Sequence, residues 1–163
     1  LNSWRTNSRH SPILSRRIVT SAFLCIDPIE TAADKLSALA WRVCIRERGA
    51  ERDDPTIIRH LHDLAALQPR IATSDEFSRL VLLATTNDTD RGGGKAPIKA
   101  GDRFSMMPER LGREAFWALE YTEYVRRVSY ARPGEGIMFD GVLGILTEPV
   151  GSLDADGTPD HDR

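Results

Sequence analysis

The sequence predicts a mainly α-helical domain that carries one β-strand near its N-terminus without any partner strand. Two observations lead there. Apolar residues recur at the 3.6-residue helical period in successive segments after residue 27, two of which open on the start signals Asp27-Pro28 and Asp54-Pro55. Only Ile18–Ile26 reads as a strand: it is rich in β-branched residues, too short for a helix by itself, and closed by Asp-Pro. A lone strand leaves its backbone donors and acceptors unpaired, so the expected partner sheet lies upstream of Leu1.

At 163 residues, 40% hydrophobic and 28% charged, the chain is long enough for one domain with its own core. Three regions are expected: a basic flexible arm or remnant of an upstream domain over 1–17, a strand-plus-helix domain over 18–148, and a disordered tail over 149–163. The formal charge of −2 and a pI near 6.1 exert no global pull toward nucleic acid or anionic membrane. The arginines of the arm (Arg5, Arg9, Arg16, Arg17) are read as solvated before they are read as an RNA contact. The arm and Ile18–Ile26 imitate a secretory signal, but Thr20 and Ser21 interrupt the apolar run and Asp27 and Glu30 follow it. No run approaches the roughly 18 apolar residues of a membrane span. The expected location is the cytoplasm, with no membrane partner. Cys25 and Cys44 have no metal-binding spacing and are read as reduced thiols in apolar surroundings.

The first helix has Asp27 as cap, Pro28 at its first position and Glu30 placed to complete a capping box. Ile29, Ala32, Ala33, Leu36, Leu39, Ala40 and Val43 form its apolar stripe, with Lys35, Ala38 and Arg42 along one flank, and Gly49 ends it. A second helix starts at Asp54-Pro55, buries Ile57, Ile58, Leu61, Leu64 and Ala65, and stops at Pro69. A third starts from a Thr73/Glu76 capping box and runs to about Thr86. The glycine-rich stretch 87–101 is expected to be a long mobile loop. A fourth helix is expected from Pro108 to about Tyr130, and a short last one from Asp140 to about Leu146.

Chemistry centres on the first two helices. If they form an antiparallel hairpin, Lys35 lies about 18 Å from the turn and Asp63 about 12 Å, an offset a lysine side chain can span. By itself such a pair is more often a solvated ion pair than a site. Gly92-Gly93-Gly94-Lys95 lacks the Ser or Thr and the helix start of a phosphate loop. His60 and His62, two apart on a helix, face different ways and make no shared metal site. Trp41, Trp117, Tyr121 and Tyr124 are core or interface aromatics before they are base-stacking platforms.

The run Pro28-Ile29-Glu30-Thr31-Ala32-Ala33-Asp34-Lys35-Leu36-Ser37-Ala38-Leu39, followed by Arg59-x-x-x-Asp63-Leu64, resembles the C-terminal half of the AbiEii/AbiGii toxin family of nucleotidyltransferases. The resemblance extends over most of residues 24 to 146. It implies the helical C-terminal region of an α+β, polymerase-β-like fold, whose N-terminal sheet carries a Gly-Ser turn and an Asp-x-Asp pair for divalent metal. It also implies Lys35 and Asp63 as the catalytic pair, Lys35 neutralising the triphosphate and Asp63 completing the acidic centre. Arg59, Arg42 and Glu30 become nucleotide-binding or supporting positions. NTP and Mg²⁺ are implied for the full-length form, with an RNA or protein acceptor and a cognate antitoxin, in toxin-antitoxin or phage-defence biology.

Two departures stand out. Where family members often carry Arg-Asp-x-x-Asp, this chain has Arg59-His60-Leu61-His62-Asp63. The chain also lacks a Gly-Ser turn followed by a strand-borne Asp-x-Asp, since Gly151-Ser152 and Asp154-Ala155-Asp156 fall in the expected tail. No metal site is complete in this chain, and its expected partner is an N-terminal domain missing upstream; alone, it is expected to be inactive. The competing expectation is a non-enzymatic helical interaction module, or the remnant of a truncated gene.

Overall fold

The computed structural model describes residues 26–45, 53–92, 98–128 and 136–156, together with Glu47, Gly49 and Glu51. Six α-helices account for most of them: α1 (Pro28–Ile45), α2 (Arg59–Ile71), α3 (Phe77–Arg91), α4 (Ala100–Arg113), α5 (Ala115–Val128) and α6 (Phe139–Asp156). A 3-10 turn, Pro55–Ile58, leads into α2. There is no strand among the described residues, and the expected strand lies outside them except for Ile26, which is exposed and outside any helix.

Helix α1 is central because its apolar stripe is broad enough to meet three neighbours. It packs against α2, α3 and α4, while α6 closes the far side across α4 and α2. Ala32, Ala33, Leu36, Leu39 and Ala40 are all buried, and the alanines allow close helix approach. Asp27 caps the start, its Oδ1 accepting from the Ile29 amide at 2.6 Å. The end comes at Ile45, where Arg110 Nη1 donates to the carbonyls of Val43 (3.3 Å) and Cys44 (3.1 Å), two of the acceptors a helix C-terminus leaves open. Gly49, the expected terminator, instead sits in the following turn at φ +81°, a conformation L side chains rarely adopt.

Asp54 caps the next element as expected, accepting from the Thr56 amide (2.9 Å) and hydroxyl (2.7 Å). These Thr56 bonds hold its carboxyl below the usual range. The first turn is 3-10, and Pro69 lies inside the last turn of α2, which continues to Ile71. Thr73 does not cap α3: its hydroxyl donates back to the carbonyls of Pro69 and Arg70, closing α2. Helix α3 has Glu76 at its cap position, without a side-chain cap bond.

Three expected boundaries move because tertiary contacts support polar helix. Helix α3 continues past Thr86 to Arg91. Its threonines are satisfied locally, Thr85, Thr86 and Thr89 donating to the carbonyls four residues back. Asp88 and Thr89 are then held by Ser37 of α1 (2.7 Å) and Arg103 of α4 (2.9 Å). The single helix expected from Pro108 is two helices. Helix α4 begins at Ala100, because Arg103, Phe104 and Met107 are buried, and it carries Pro108 inside it. Glu114, extended at φ −95°, ψ 102°, interrupts the helix. It then anchors the start of α5 by accepting from Trp117 Nε1 at 3.1 Å.

The last helix is longer than expected. Residues 149–156, expected in the tail, are the final turns of α6. Phe139, Val142, Leu146, Val150 and Leu153 recur on one face and are buried. Tyr121 Oη donates to the Ile137 carbonyl at 3.1 Å and fixes the entry to this helix. Trp117 and Tyr121 are each 1% exposed and belong to the core. Cys44 is a buried free thiol whose Sγ donates to the Arg103 carbonyl at 3.3 Å, and burial raises its pKa. Cys25 lies outside the described residues. No described helix is long and apolar enough to cross a membrane.

Candidate functional site

The hairpin of α1 and α2 brings Lys35 and Asp63 together, 28 positions apart in sequence. Lys35 Nζ donates to Asp63 Oδ2 at 2.6 Å, with side chains 23% and 34% exposed. The contact arises because Leu36, Leu61 and Leu64 are buried in the interface, so residues adjacent to each apolar stripe meet at its rim. The pair is part-buried, with both side chains partly open to solvent.

Other polar groups surround it. His60, mostly buried, is pushed down to about 4, chiefly by desolvation and then by the positive charges of Lys35 and Arg59. It is held neutral at physiological pH, and its Nδ1 is buried with no hydrogen-bond partner among the described residues. Tyr124 of α5 stands close enough for burial and the Asp63 charge to raise its hydroxyl pKa. Its ring meets His62 edge-on at 5.8 Å between centroids. Arg59 is exposed at the start of α2, one turn before Asp63, and its charge bears on His60, Tyr124 and Asp54.

The remaining expected positions lie farther off. Glu30 is exposed at the N-terminal end of α1; five residues from Lys35, it projects roughly 140° away around the helix. Arg42 shares the face of Lys35 two turns on, about 10.5 Å along the axis, but lines a different groove with Trp41, Asp88 and Arg91. That groove was hidden in the sequence because residues 87–91 read as loop. Between the 3-10 turn and α5 lies a mostly apolar pocket of about 470 Å³, which includes Tyr124 and Leu119 in its walls.

Among the described residues no three His, Cys, Asp or Glu side chains converge to hold an ion, and Asp63 spends one oxygen on Lys35. No step is therefore assigned to a metal.

Compared with known families, residues 5–143 match the model described as nucleotidyl transferase AbiEii toxin, type IV TA system. The chain belongs to the AbiEii family. No curated protein and no solved structure matches it. Membership makes this a nucleotidyltransferase-like toxin of a type IV toxin-antitoxin system, and it implies a nucleotide substrate, a divalent metal and a cognate antitoxin. The Lys35 and Asp63 motifs fall within the matched residues.

Proposed function

We infer that Lys35 and Asp63 form the phosphate-handling side of a nucleotidyltransferase site, which transfers a nucleotide from NTP to a hydroxyl of an RNA or protein acceptor. The observation that carries the reading is their 2.6 Å contact, which joins the two motif positions at a solvent-reachable rim. In the reaction the acceptor oxygen forms a bond to the α-phosphorus, the bond from that phosphorus to the β-bridging oxygen breaks, and pyrophosphate departs. Negative charge grows on the leaving group, and a lysine ammonium beside it lowers the barrier. Asp63 holds that ammonium in place through Oδ2, and its second oxygen adds acceptor capacity toward the hydroxyl proton. Arg59, one turn away, supplies a further cation for phosphate.

His60 replaces the acid expected beside Arg59 and, being neutral, offers no negative charge to oppose the triphosphate. Binding of a fluorescent nucleoside triphosphate to the purified chain tests the role of Lys35. Lys35→Ala is expected to weaken binding about tenfold, roughly 1.4 kcal/mol, and Lys35→Arg to restore most of it. Transfer is expected where a Gly-Ser turn and an Asp-x-Asp strand complete the centre, and there Asp63→Asn removes labelling of the acceptor. Undiminished nucleotide binding by Lys35→Ala would sink the assignment.

A further inference from the structure

A second groove lies between α1 and the C-terminal half of α3, beside the Lys35 face but sharing neither Lys35 nor Asp63. It encloses about 520 Å³, with Trp41 and Arg42 on one wall and Asp88, Arg91 and Gly92 on the other. That volume falls within the range of small-ligand sites.

Its electrostatics favour an anion. Both oxygens of Asp88 are engaged, Oδ2 by the Ser37 hydroxyl at 2.7 Å and Oδ1 by Arg91 at 3.2 Å. Arg91 remains 78% exposed at the mouth. Arg42 Nη1 is buried and bonded to no described atom, an arrangement that leaves a desolvated donor uncompensated. A third guanidinium, that of the buried Arg103, lies 4.9 Å from the Trp41 ring centroid and adds positive potential beneath it. Two guanidinium groups, those of Arg42 and Arg91, thus line the groove with the single carboxylate of Asp88, and the Arg42 charge also bears on Asp54. The planar fork of arginine matches a phosphate, and the adjoining indole offers an aromatic surface to a base. Gly92 keeps Trp41 in place, since a Cβ there would stand 2.6 Å from its ring.

We propose that this groove binds a phosphate group carried on a nucleotide unit, with Arg42 and Arg91 holding the phosphate and Trp41 lying against the base. The phosphate comes either from a free mononucleotide or from the backbone of an RNA strand, and one experiment separates these. The chain has three tryptophans, so its indole N–H signals in a ¹⁵N correlation spectrum are few, and Trp41→Phe assigns the relevant one. The full chain is titrated with AMP and, separately, with a single-stranded hexaribonucleotide lacking terminal phosphates.

The Trp41 indole signal is expected to move and saturate, with affinity falling at least fivefold in Arg91→Gln and in Arg42→Gln. Arg91→Lys is expected to retain most of the affinity, and unchanged amide spectra confirm that each variant is folded. Response to AMP assigns a free nucleotide, and response to the hexamer alone assigns the RNA backbone. Lys35→Ala should leave the Trp41 response intact even where it weakens triphosphate binding, so the two sites fail or stand separately. A Trp41 signal that moves with neither probe overturns the proposal, as does an affinity indifferent to both arginine substitutions, or a response lost in Lys35→Ala.

Discussion

The Lys35–Asp63 contact gives a quantity that thermodynamics can check. At 2.6 Å, two unit charges in the dielectric of bulk water attract by about 1.6 kcal/mol. The side chains are 23% and 34% exposed, so solvent screening and the ordering of the lysine stem reduce this, and a net coupling of about 1 kcal/mol is expected. A double-mutant cycle isolates it: Lys35→Met, Asp63→Asn and the double variant are unfolded in urea, and the interaction energy is the departure from additivity. Raising the salt to about 1 M, where the Debye length is near 3 Å, should erode part of the coupling. Removing Asp63 also leaves the ammonium unpaired, so Asp63→Asn is expected to bind nucleoside triphosphate at least as tightly as the parent chain. A coupling indistinguishable from zero would refute a net stabilising role for the pair. A triphosphate affinity that collapsed in Asp63→Asn while Lys35→Ala left it unchanged would refute the assignment of phosphate contact to Lys35.

Further outcomes follow from other parts of the molecule. The His60 imidazole takes its proton near pH 6.5 when unperturbed but near 4 in the fold, so between those values the unfolded state holds more protons. Stability is therefore expected to fall as pH drops from 6.5 toward 4, and His60→Asn should flatten that slope in parallel denaturation series; an unchanged slope would count against burial of the imidazole. Leu153→Ala removes a side chain that is 6% exposed at the far end of α6 and should cost about 2–4 kcal/mol by urea unfolding, whereas a disordered tail would give no change. Gly92→Ala forces a methyl against Trp41 at 2.6 Å and is expected to destabilise by about 1–3 kcal/mol with a change in near-ultraviolet circular dichroism; a neutral result would mean that the ring moves aside freely.

Where local chemistry was self-sufficient, the sequence was legible. Asp27 and Asp54 cap their elements through their own side chains, within two residues of the amides they accept. The stripe from Ala32 to Val43 is read correctly because a 3.6-residue period needs no knowledge of what covers it. Even the meeting of Lys35 with Asp63 could be anticipated, since a short hairpin connection and a fixed rise per residue bound the offset between two facing helices. Thr73 was misread because a threonine hydroxyl can serve the end of one helix as readily as the start of the next.

The sequence alone settled the apolar stripe of α1, the two proline-led starts and the motif positions that place the chain in its family, because each depends on residues close together along the chain. Tertiary structure decided where the polar helices end. Thr85 to Arg91 stays helical because Ser37 and Arg103 reach it from α1 and α4, and residues 149–156 stay helical because Val150 and Leu153 find an apolar surface. It also decided which charges share a groove. Arg42 and Arg91 are 49 positions apart, and only the packing of α3 on α1 sets them across one opening. Such pairings depend on which helix faces cover one another, a property no local window of sequence contains.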